Sequence, residues 1–192
     1  ALVKRMQPAF AARNGIHAAL FAQAGITGPA GVMDGKFGFF ELYKRGPLLY
    51  DRLTDRLGEF FEIEHVSVKL YCGGRYIHGP AEATSEIALK EGLKAADVAK
   101  ITLFLPKMTF DYVGRPFVLG DAPQVNAQFS AAYAAAAGLV YHDFFIDQVQ
   151  ESAILNPEVL DLAQKRVEIV VDDSVKDPAA TLPVSVEVLT TD

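Results

Sequence analysis

Residues 100–105 read Lys-Ile-Thr-Leu-Phe-Leu and stop at Pro106, and this strong strand decides how the rest of the chain is read. β-Branched and aromatic side chains suit a pleated, half-buried surface, and a proline ends the pairing. Downstream, residues 166–172 and 183–189 alternate cleanly, with Val167, Ile169 and Val171 in one and Val184, Val186 and Val188 in the other. A period of two marks half-buried strands. Upstream, the pattern changes near residue 62, and Ile63, Val66, Val68 and Leu70 read as a further strand. Helices fall between the strands. Residues 80–91 open on Pro80 and end at Gly92; residues 122–140 form a long Ala-rich helix buried on more than one face. Residues 157–165 begin at Asn156-Pro157, a cap followed by a first-turn proline. The turn before the last strand contains Asp177-Pro178, and Thr190-Thr191-Asp192 suits the start of another hairpin. About four strands with helices on one face make an α+β unit with a small antiparallel or mixed sheet.

The residues before this unit are helical. Residues 8–24 predict a helix with Pro8 in its first turn and Gly25 as a left-handed stop. A glycine-rich loop over 28–38 follows, then a short amphipathic helix from Leu48 to Leu57. The domain division is therefore 1–62, part of an all-helical domain, and 63–192, the α+β domain. The helix at 8–24 is small or apolar on nearly every face and needs burial on several sides. The remaining residues are too few to surround it, and position 1 is alanine, so the chain is expected to be a piece of something larger.

Composition narrows the function. The 192 residues are 51% hydrophobic with a formal net charge of −6, which argues for a packed core and against a nucleic-acid partner. No apolar run approaches the roughly 18–20 residues of a membrane span. The single cysteine, Cys72, excludes an internal disulfide and a Cys-rich zinc site, and a reducing cytoplasm fits it. No two histidines have ligand spacing, so no metal is expected; the glycines at 25–38 follow a helix rather than a strand and form no dinucleotide fingerprint.

Against this acidic background, residues 69–78 (Lys-Leu-Tyr-Cys-Gly-Gly-Arg-Tyr-Ile-His) gather Lys69, Arg75 and His78 just ahead of a helix. Cations there, beside helix N-terminal N–H groups, make a seat for a small polyanion. Taken singly, Lys69 reads as a solvated strand end, His78 as a hydrogen-bonded histidine, Cys72 as a small core residue and Lys4-Arg5 as a solvated cap. Tyr133, alone among alanines, reads either as core with a satisfied hydroxyl or as a phenol entering a cavity.

The order of these segments resembles the MmgE/PrpD family, whose members include 2-methylcitrate dehydratase, cis-aconitate decarboxylase and iminodisuccinate epimerase. Lys4 followed by Ala11-Ala12-Arg13-Asn14-Gly15-Ile16 resembles the family's lysine-led helix, and Ala24-Gly25-Ile26-Thr27-Gly28-Pro29 its end. Lys69, Tyr71, Arg75, Tyr76 and His78 match its Lys-led Arg-Tyr-x-His phrase, and Ala127-Gln128-Phe129-Ser130 with Tyr133-Ala134 its approach to an Ala-rich helix. Leu70 and Cys72 stand where prolines are usual, and Gly73-Gly74 replaces bulkier residues. The resemblance implies a chorismate-mutase-like lid domain preceded by a segment of an all-helical domain, without the upstream helices that carry an active-site aspartate and histidine and without the C-terminal helices. It implies a homodimeric lyase or isomerase that acts on a small di- or tricarboxylate, 2-methylcitrate dehydration foremost, and uses no cofactor. Lys4, Lys69 and Tyr133 are then the catalytic residues, and Arg75 and His78 bind substrate. The competing expectation is a non-catalytic piece or a stand-alone lid that only binds or dimerises.

Overall fold

The computed structural model describes residues 3–177 and 183–191. The chain divides into two compact units, Ala1–Ser67 and Val68–Asp192.

The first unit contains α1 (Val3–Gln23), α2 (Phe39–Tyr43), α3 (Asp51–Thr54) and a 3-10 turn at Glu62–His65. None of these four segments buries a residue. α1 starts five residues before Pro8, so the proline lies inside the helix, where it has no N–H to return to the Lys4 carbonyl. Gly25 takes the expected left-handed conformation with φ +90°. The helix expected over residues 48–57 contracts to α3: the backbone leaves the helix at Asp55, with ψ 123°, and Arg56 turns left-handed, with φ 50°. The strand expected from Ile63 to Leu70 does not form. Its first residues coil into the 3-10 turn, and Ile63, Val66, Val68 and Leu70 stay exposed. Alternation makes a strand only when a neighbour takes up its backbone hydrogen bonds, and none of the three strands of the sheet described next pairs with these residues.

The second unit is built from α4 (His78–Glu91), β1 (Val98–Leu105), α5 (Lys107–Val113), α6 (Pro123–Ala127), α7 (Ala131–Tyr141), α8 (Glu151–Ile154), α9 (Pro157–Asp161), β2 (Val167–Val171) and β3 (Ser185–Thr190). It is an α+β fold with a mixed sheet in the order β2-β1-β3. β2 runs parallel to β1, with Leu103 opposite Ile169, and β3 antiparallel, with Leu103 opposite Val186. β2 and β3 are thus separated by β1, which carries the run 100–105. Pro178, in the expected turn between them, lies outside the described residues, as does Asp192. Thr190 ends β3, and the Thr191 N–H bonds the Asp97 carbonyl, where another hairpin start was expected.

One sheet face is fully buried through Val98, Ile101, Leu103 and Leu105, and the helices pack there. The other carries Lys100, paired with Glu168, beside half-buried Thr102 and Phe104. α7 is the centre of the core, buried at every residue from Ala131 to Leu139. The single Ala-rich helix expected over 122–140 is broken before it: Ser130 is extended, and its hydroxyl caps α7 by accepting the Tyr133 N–H at 3.2 Å. α4 lies along α7 through small residues, with Ala81, Thr84 and Ala88 buried. The helix expected over 157–165 is α9 followed by a wider π turn, Leu162–Arg166. That turn brings the Arg166 guanidinium to the Val98 carbonyl at 2.8 Å, tying the last helical segment to the start of β1.

Candidate active site

The phrase 69–78 has no regular structure until Arg75. It is held by the segment before α7 and by the chain beyond it. The Gly74 N–H bonds the Gln128 carbonyl at 2.8 Å, the Gln128 side chain returns to the Cys72 carbonyl at 3.1 Å, and the Cys72 N–H reaches Phe144 at 3.1 Å. Close packing explains the glycines: a Cβ on Gly73 would sit 2.4 Å from Ile77 Cδ1 and 3.0 Å from the Gln128 carbonyl oxygen. The chain then makes a 3-10 turn, Arg75–Ile77, and enters α4 at His78. This is two residues earlier than the proline signal indicated.

That early start shapes the site. Once His78 belongs to α4, Glu82 lies one helical turn further along the same face. Both line a cleft of about 220 Å³ with Arg75, Tyr76, Val68 and Leu70. Glu82 escaped the sequence reading because a helix starting at Pro80 leaves His78 outside it; the i,i+4 spacing was the available signal. Tyr71, also not singled out for its contacts, presents its ring edge-on to His78 at 5.2 Å between centroids. Burial first, and then the Glu82, Asp143 and Glu86 carboxylates, raise the Tyr71 phenol above its ordinary value.

His78 is the most informative group. Its Nε2 is buried and has no hydrogen-bond partner among the described residues. Burial above all, then the Lys69 and Arg75 charges, hold the imidazole below its ordinary value of 6.5; a hydrogen bond to the Tyr71 backbone opposes this in smaller measure. A ring that donates to a carbonyl through one nitrogen keeps its lone pair on the other. The site therefore holds a neutral imidazole with an unused acceptor among cations. A buried polar atom left unpaired costs free energy, and a ligand that donates to Nε2 relieves it.

The sign of the resulting pH dependence is definite. Below 6.5 the unfolded chain protonates His78 while the folded chain does not, so the unfolded state binds more protons and stability falls as pH falls, until the lowered folded value is passed. Urea midpoints between pH 7.5 and 5 are expected to drop more steeply in the native chain than in His78→Phe. Equal slopes would remove His78 as the cause.

Of the expected site residues, the structure brings Arg75 and His78 into one cleft and Lys69 close enough for its charge to act on His78. The Lys69 ammonium donates to the Gly73 carbonyl at 3.2 Å across the turn. Tyr133 lies elsewhere in the unit. It is fully buried against Phe117 and Phe144, and its hydroxyl donates to the Gln148 carbonyl at 2.5 Å. Burial raises that phenol far above its ordinary range. Of its two readings, the core with a satisfied hydroxyl describes its setting. Lys4 lies on α1, exposed, in the first unit. Among the described residues no group of three His, Cys, Asp or Glu side chains could hold a metal, and no helix is long and apolar enough to cross a membrane.

Sequence comparison finds two family models along the chain. The MmgE/PrpD N-terminal domain matches residues 2–49 and the MmgE/PrpD C-terminal domain residues 71–192. A "Cis-aconitate decarboxylase-like protein oryM" from Aspergillus oryzae (strain ATCC 42149 / RIB 40) is 30% identical over 175 residues. A "Cis-aconitate decarboxylase" from Aspergillus terreus (strain NIH 2624 / FGSC A1156) is 29% identical over 177 residues. Each alignment covers 85% of this chain, and the chain spans 36% of the length of these relatives.

Proposed function

The chain belongs to the MmgE/PrpD family, and on that footing we propose that it contributes the Lys69–Glu82 cleft to a lyase acting on a small tricarboxylate of the cis-aconitate type. The observation that carries this reading is the unpaired Nε2 of a neutral His78, set beside Arg75 and under the charge of Lys69. Cations bind carboxylates, and an imidazole kept neutral can take or return a proton next to them.

When carbon dioxide or a proton leaves the carbon beside a carboxylate, the electron pair left behind spreads into the adjoining unsaturated or carboxylate group. An ammonium held beside the reacting carbon stabilises that charge. Lys69 takes this role here. Arg75 anchors a carboxylate, and His78 handles the proton at the reacting carbon. Tyr133 takes no part in this proposal, since its own proton is engaged in the core. The relatives' names favour decarboxylation of cis-aconitate. Dehydration of 2-methylcitrate makes the same demand for a stabilised carbanion and belongs in the same test.

The chain spans 36% of its relatives, which gives the lid reading a footing of its own. Incubating the 192-residue chain with cis-aconitate, 2-methylcitrate or citrate, followed by NMR of both ligand and His78 ring protons, separates the readings. Shifted His78 signals with product formation support the enzyme. Shifted signals without product support a binding lid that needs other segments for chemistry. Unchanged His78 signals with all three acids would overturn the proposal.

A further inference from the structure

The second unit has a further cavity, larger than the cleft of His78. It measures about 470 Å³ and lies between α5 and the loop leading into α7. Three aromatic rings, Tyr112, Phe117 and Phe129, form its walls, with Arg115, Asp111 and Asn126 as polar members. Its lining shares no residue with that of the His78 cleft.

The walls are pre-set. The Tyr112 ring stacks on Tyr76 at 5.1 Å and 15°. Phe117 packs on buried Tyr133 at 5.1 Å. The Asn126 side chain is committed to the Leu119 carbonyl at 2.9 Å and the Val118 carbonyl at 3.3 Å. Asp111 is paired with Lys107. Arg115 differs, because among the described residues it makes no hydrogen bond or ion pair.

We propose that this cavity is a second ligand site, for a monoanion with a flat apolar or aromatic body. One uncommitted guanidinium supplies a single anchoring charge, which matches a carboxylate well. Aromatic faces supply the remaining contact and also receive planar groups by offset stacking. The Asp111 carboxylate in the same lining disfavours a second negative charge, which separates this site from a polycarboxylate site. Its volume lies in the range of small-molecule pockets, about 300–1,000 Å³, and walls fixed before binding lower the ordering cost.

The test uses 2-naphthoate as the probe and its neutral counterpart, 2-naphthalenemethanol, as the control. Both are titrated into the ¹⁵N-labelled 192-residue chain. The expected result is amide shifts concentrated at Tyr112, Phe117, Val118 and Phe129, with the acid binding at least fivefold tighter than the alcohol. Arg115→Gln should abolish that preference, and Tyr112→Ala should weaken both ligands. Arg115 and Tyr112 are exposed, so neither change threatens the core. Shifts scattered over the exposed apolar residues of α1, or equal binding of acid and alcohol, would overturn the site.

Discussion

Gly138→Val is expected to unfold the second unit at far lower urea than the native chain. A Cβ at Gly138 would lie 2.3 Å from the Ala81 carbonyl oxygen and 2.6 Å from Thr84 Oγ1. The first is backbone of α4. The second is already spent, since the Thr84 hydroxyl donates to the Pro80 carbonyl at 2.9 Å. Neither atom can swing aside, so α4 and α7 must separate along the contact that centres the core. Helix propensity works in the opposite direction: glycine to alanine inside a helix gains about 1 kcal/mol. Overpacking a dense core costs roughly 1–3 kcal/mol and sometimes more, and an approach this short to backbone belongs at the upper end. Gly138→Ala should therefore lose stability despite its better propensity, and Gly138→Val should lose more, about 3 kcal/mol or beyond. Urea unfolding followed by tyrosine fluorescence checks both. A valine variant with the native midpoint would mean that α4 and α7 do not meet at Gly138.

Lys69→Ala should leave the fold intact and remove most of the affinity for a polycarboxylate. The lysine is exposed, and among the described residues its direct bond is to the Gly73 carbonyl, across a turn that other bonds already hold. Stability should thus change little. Binding is different. A hydrogen bond to a charged group contributes about 1.5–3 kcal/mol, which corresponds to roughly a 10- to 150-fold weaker Kd for cis-aconitate. A second readout does not depend on any ligand. Lys69 is one of the two charges that lower the His78 value, so its removal should move the imidazole titration upward. An unmoved titration together with an unchanged Kd would take Lys69 out of the site.

Much of the second unit was legible along the chain. Val167, Ile169 and Val171 alternate because one sheet face is buried, and Asn156-Pro157 announces a helix start through a cap that acts within a few residues. Gly92, left-handed with φ +68°, ends α4 for an equally local reason. The cluster of Lys69, Arg75 and His78 could also be read, because residues so close in sequence can hardly be far apart in space. What could not be read was which neighbour each group would meet. Glu82 became part of the cleft only because α4 begins at His78. The role of Gln128 as anchor of the 72–74 loop joins positions far apart in the chain.

Periodicity, caps and composition therefore carried the α+β character of this protein, its strands at β1, β2 and β3, and the place where its cations gather. These are properties of residues a few positions apart, where side-chain spacing and backbone bonding act directly. Three outcomes depended on long-range packing. The alternating residues 63–70 stayed out of the sheet, because strands need partners. The Tyr133 phenol was given to the Gln148 carbonyl, because α7 was buried on every side. The His78 Nε2 was left buried and unpaired, because α4, Tyr71 and the cations close round it together. A hydrogen bond or a van der Waals contact reaches only a few ångströms, so its partner is settled by which surfaces the whole fold brings face to face.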